Sequence, residues 1–141
     1  MVSPVFVSAL YYGINKGISD ILGEGSKVLS RKISMEMINF LEDVGYLNNI
    51  KDKEDLIKLF TKDFGLAEDL KIEENDDEVV FIVINPTLDL FIKKMKTVPQ
   101  VCPFIHLLSL LYSKLFNVKL MFKDVIIEGN KIKLIFKKVI V

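Results

Sequence analysis

Cys102 and His106 stand four residues apart at the head of an apolar run, 104–116, and are the only cysteine and the only histidine in the chain. Pro103 between them suits a first helical turn, where its missing N–H would have had no partner anyway. Cys102 is therefore expected at the N-cap, where the helix dipole favours thiolate and lowers the thiol pKa. Four-residue spacing puts His106 on the same face. Three chemistries fit such a pair. A reactive or ligand-gating thiol needs only the depressed pKa. A zinc site needs three or four protein ligands, which here would have to come from carboxylates such as Asp124 or Glu128. A Cys–His nucleophile needs an orienting group and an oxyanion stabiliser, and nothing around 102–106 supplies either. The fourth reading is structural: Cys102 as a small buried hydrophobe and His106 as a hydrogen-bonded core histidine.

No other motif competes. The chain has no G-x-S-x-G elbow, no H-E-x-x-H and no dinucleotide fingerprint. Gly23-Glu24-Gly25-Ser26 lacks the preceding strand and the Gly-Lys-Ser/Thr of a phosphate loop, and reads as a reversal between helices. The acidic run 74–78 lacks the ligand spacing and central glycine of an EF-hand, and reads as a solvated hairpin tip. The expectation is a protein without catalysis.

Composition narrows the classes further. Lys+Arg and Asp+Glu both number 19 and only Arg31 is arginine, so neither a global field nor bidentate forks point to nucleic acid. Half the residues are hydrophobic, too many for disorder. A lone cysteine fits a reducing, cytoplasmic setting. No segment reaches the ~18 apolar residues of a spanning helix, and no signal peptide is evident. At 141 residues one domain, 1–141, is the simplest organisation.

The elements that must position Cys102 and His106 follow from periodicity. Helices are expected at 5–22, 27–44 and 53–63. The first has one apolar face of Phe6, Leu10, Ile14, Ile18 and Ile21, beside a small-residue stripe of Ala9, Gly13 and Gly17. That stripe suits close packing against a neighbouring helix of the same chain, a subunit contact or a pocket wall. Gly23 offers a left-handed stop and Ser26 an N-cap for the second helix, whose expected core face is Ile33, Met37, Phe40 and Leu41. Strands at 70–73 and 79–85 form a hairpin. A short helix follows from 85 or 86 to 95, then a connector at 97–100 and the apolar helix 104–116. Strands 119–128 and 131–141 close on the turn Gly129-Asn130, with adjacent Lys137 and Lys138 suggesting a bulge or strand end. The order ααα-ββ-αα-ββ predicts an α+β fold, a four-stranded antiparallel sheet with helices packed against it.

This element order resembles the vinyl reductase domain family, which is related to the heme nitric-oxide-binding domains and the small TRAPP vesicle-tethering subunits. The residues that carry the resemblance are the segment 22–29 followed by Gly45, and Cys102-Pro103-Phe104. It covers nearly the whole chain and suggests an archaeal stand-alone member. It implies an apolar ligand cavity and a homodimer, used as a sensor or interaction module. Cysteine-bearing relatives are thought to hold a metal near the Cys-Pro-Phe helix, with two further cysteines around a hairpin glycine. The matching glycine is Gly129, but Val125 and Lys133 occupy the cysteine positions, so zinc is not expected here.

Two roles follow. In the first, a small molecule or lipid occupies a hollow lined by Phe104, Phe81, Leu120, Phe122 and Phe136, with Cys102 and His106 as polar groups at its mouth. Ala9, Gly13 and Gly17 make the subunit contact. In the second, a TRAPP-like assembly subunit has a filled core and works through its surface. Neither role involves nucleic acid or membrane insertion.

Overall fold

The computed structural model describes residues 2–95, 99 and 101–139. The expected connector at 97–100 lies outside them except for Pro99, as do residues 140 and 141 of the expected last strand. Helices α1 (Pro4–Leu22), α2 (Ser26–Asp43) and α3 (Lys53–Lys58) precede strands β1 (Ala67–Glu74) and β2 (Glu78–Pro86). Then come α4 (Asp89–Lys94), a wide π-type turn (Pro103–Leu108), α5 (Ser109–Phe116), β3 (Lys119–Glu128) and β4 (Lys131–Val139). The fold is α+β with one antiparallel sheet in the order β1-β2-β4-β3. The chain divides into two compact units, Met1–Tyr46 with Leu88–Leu108, and Leu47–Thr87 with Ser109–Val141.

The second unit holds the sheet. Cross-strand partners share a face, so the register Ile72↔Phe81, Phe81↔Leu134 and Phe122↔Phe136 sets one apolar face. Val79, Phe81, Val83, Ile132, Leu134 and Phe136 are buried along it. Helix α3 packs beside β1 and α5 beside β3. Asp52 caps α3 by accepting the Asp55 N–H at 2.9 Å. The expected single helix 53–63 widens into a π-type turn at Leu59–Asp63. At the acidic tip, Asn75 Oδ1 accepts the N–H groups of Asp77 and Glu78, both at 2.8 Å; the run is a solvated turn, as its composition implied. Proline does not begin a helix at 86: β2 runs through Pro86, and α4 starts only at Asp89. The bulge falls in β3, where the pairing skips between Phe122 and Asp124. β4 keeps its register through Lys137 and Lys138, and the Lys138 ammonium lies 3.6 Å from Glu74.

The first unit departs more from its sequence pattern. Ser3 caps α1 through the Val5 N–H, but the helix buries Ser8 and Asn15 and exposes Phe6, Leu10, Ile14 and Ile21. Of the face expected to be core only Ile18 is half-buried; its other four residues point outward. Helix α2 begins at Ser26 with Gly25 at the N-cap position and no side-chain cap. It buries Ser30, Ser34, Ile38 and Leu41, while Ile33 and Met37 are half-buried and Phe40 is exposed. Small serines let α2 approach the 103–108 turn, and the longer Phe40 is left outside. Gly23 closes α1 at φ 56°, ψ −128°, a conformation open only to glycine.

Candidate functional site

Asn15 has no exposed surface. Its Nδ2 donates to the Tyr11 carbonyl at 2.8 Å and the Val101 carbonyl at 2.9 Å, and its Oδ1 accepts the Val101 N–H at 2.8 Å. One side chain thus satisfies both backbone groups of Val101, as a neighbouring strand would, and fixes the approach to Cys102. A buried asparagine with every bond made is tolerated, whereas an unpaired one costs about 1–3 kcal/mol per group. Asn15 was not singled out from the sequence. Its signal was a polar residue opposite the apolar stripe of α1, which by pattern alone belongs in water.

Cys102 and His106 come together as their spacing implied. The His106 N–H donates to the Cys102 carbonyl at 3.0 Å, and His106 Nδ1 accepts the Cys102 N–H at 3.0 Å. This reciprocal pair has the logic of a capping box, a side chain reaching back to a donor left over at a helix start. Nδ1 is committed as an acceptor, which requires the neutral ring. Burial lowers the His106 pKa to about 4.

The thiol fits the buried-hydrophobe reading and not that of an activated N-cap cysteine. Cys102 is buried, and loss of hydration pushes its pKa up, outweighing the Ile105 and Phe104 N–H groups that favour thiolate. A helix start activates a cysteine only where solvent or a cation also reaches it. Tyr11, whose ring lies 5.6 Å from that of Phe91, is likewise raised by burial and by the neighbouring Cys102. Among the described residues no group of three or more His, Cys, Asp or Glu is placed to hold a metal ion. Asp124 and Glu128 are exposed on β3.

The other expected lining residues lie in the sheet unit. Phe122, Phe136 and Phe81 stack at 5.5 Å centroid spacing, and Phe81 meets Tyr112 at 5.4 Å. Tyr112 continues to Phe116 at 4.8 Å. These are edge-on and tilted ring contacts of a packed core. Leu120 and Phe122 are half-buried, and Phe104 is buried in the first unit. The Tyr112 hydroxyl donates to Glu74, whose carboxylate also lies 3.6 Å from both Lys53 and Lys138.

Two further features belong to α1. Ser8 Oγ is buried with no hydrogen-bond partner among the described residues. Among the described residues nothing lies within 4 Å of a Cβ built on Gly13 or Gly17, so none of them packs against those two glycines.

No protein-family model matches the chain, and no solved structure matches it. It is similar to the uncharacterized protein MJ0758 of Methanocaldococcus jannaschii, 52% identical over 142 residues that span 98% of this chain and 89% of that protein. At that identity and coverage, the chain belongs to the family of MJ0758.

Proposed function

We propose that this chain is a non-catalytic interaction module whose working surface is the outer face of α1. The observation that carries this reading is the exposure of Phe6, Leu10, Ile14 and Ile21 along one helix. Contiguous apolar surface on that scale marks an interaction site. The groups that could do chemistry are already engaged in structure: His106 caps Cys102, and the thiol is buried and held protonated. The likeness to the vinyl reductase and TRAPP small-subunit domains belongs to this proposal, because TRAPP-like subunits supply the model of a filled core acting through its surface. A reducing cytoplasmic setting goes with it.

The second reading keeps an apolar small molecule or lipid, and the unpartnered Ser8 hydroxyl favours it. A ligand with one polar group would relieve that hydroxyl. Hydroxyl-radical footprinting of the purified native protein, paired with native mass spectrometry and organic extraction, separates the two. Protection of Phe6, Leu10 and Ile14 that disappears on dilution, with no co-purifying compound, is the expected result. A stoichiometric apolar compound lost on Ser8→Val or Phe104→Ala substitution, with α1 fully labelled, would overturn the interaction reading in favour of the ligand.

A further inference from the structure

We infer that the outer face of α1 docks a second copy of this chain, the two α1 helices crossing antiparallel with the large residues of each seated on the small residues of the other. This rests on the interaction-module reading and names its partner.

The relief of the helix argues for a copy. Phe6, Leu10 and Ile14 form a ridge at four-residue spacing, and Ala9, Gly13 and Gly17 form a low row at the same spacing beside it. Turn a second α1 about an axis between Tyr12 and Gly13. Leu10 then falls between Gly13 and Gly17, Ile14 between Ala9 and Gly13, and Phe6 between Gly17 and Ile21. All three fits are met by one operation, the condition for an isologous two-fold contact. Rows of four-residue spacing packed this way cross at about −50°. The open space beside Gly13 and Gly17 leaves room for the ridge.

Charge and area agree. The only charged residues on α1, Lys16 and Asp20, pair with each other at 3.0 Å. No like charges oppose self-docking, and no unpaired charge offers a handle to an acidic or basic partner. A membrane surface would be met by a helix rich in basic residues, and here the one lysine is already paired. Phe6, Leu10, Ile14 and Ile21 expose 61, 50, 41 and 83% of their surfaces. With the glycine backbone this is on the order of 500 Å², most of the ~800 Å² per partner in a standard interface.

The test is sedimentation of the full chain together with oxidative cross-linking of single cysteine substitutions. Cys102 is buried and can stay. Gly13→Cys, at the axis, should form an intermolecular disulfide. Phe6→Cys should not cross-link to itself but should cross-link to Gly17→Cys in a mixture. Val28→Cys, exposed on α2, should do neither. Leu10→Glu should convert the dimer to a monomer with an unchanged far-ultraviolet circular dichroism spectrum.

Self-cross-linking at Phe6 would overturn the antiparallel arrangement. A dimer that survives Leu10→Glu would overturn the use of this face. A protein monomeric at its highest soluble concentration would overturn the second copy. A monomer that floats with neutral lipid vesicles would assign the face to lipid. If α1 is nonetheless footprint-protected in the native state, the interaction reading survives without the second copy; if α1 is fully labelled, both fail.

Discussion

At residue scale, His106 couples the Cys102 turn to pH. Its folded-state pKa, about 4, lies below the ordinary ~6.5 of a free histidine. The unfolded chain therefore binds the extra proton first. Stability is full above pH 6.5 and falls as pH drops toward 4, by ~3 kcal/mol if the whole shift is realised. Urea melts across that range should show the decline. His106→Asn, which keeps an acceptor for the Cys102 N–H but cannot titrate, should flatten it. Cys102 gives an independent reading of the same turn. Its alkylation rate in the folded protein should stay low at pH 8.5, where a free thiol is half ionised, and rise only with unfolding. Rapid labelling of the native protein would show the thiol to be accessible and the structural account of it to be wrong.

Asn15 is the largest single polar commitment in the first unit. Asn15→Leu leaves the Val101 N–H and carbonyl unpaired, and should cost about 2–4 kcal/mol by denaturant unfolding. Little of this was legible beforehand. The Cys102 and His106 pairing followed from spacing, but its sense did not. Burial decides whether a helix-start cysteine is activated or silenced, and burial depends on residues distant in sequence. The separation of 86 positions from Asn15 to Val101 puts their contact beyond any local pattern.

At element scale, α1 shows what hydrophobic periodicity reports. The spacing of Phe6, Leu10 and Ile14 identified a helix and an apolar face, and both exist. Periodicity says that a face must be covered without saying by what, and the chain's own core took the opposite side. The substitution Gly13→Ala with Gly17→Ala separates fold from association. Neither new methyl meets a neighbour, so each should stabilise the helix by up to ~1 kcal/mol while weakening the close approach of a second α1. Opposite signs in denaturation at low protein concentration and in sedimentation are the expected pair. In the sheet unit, Tyr112→Phe removes the hydrogen bond that does most to hold the Glu74 carboxyl below its usual range. The carboxyl should titrate higher, as followed by NMR, with a stability loss of ~1–2 kcal/mol. The strands were legible because alternation survives wherever one sheet face is buried, as in β4. The bulge was misplaced because it depends on pairing between strands.

For the molecule as a whole, the proposed dimerisation through α1 would make stability a function of concentration. The melting temperature of the native chain should rise with protein concentration, and that of Leu10→Glu should not. A concentration-independent melt for both would leave no role for association in holding the fold.

By itself, the sequence determined the class of the fold: element order, alternation in the strands, and turn residues at Gly23, Gly45 and Gly129 constrain local conformation wherever they occur. It also brought Cys102 and His106 within reach, since four residues on a helical turn are always neighbours. Tertiary structure alone decided which side of α1 faces inward, whether the thiol sees water, and that Asn15 completes Val101. Those outcomes depend on hydration lost when distant segments meet, and no local spacing encodes that loss.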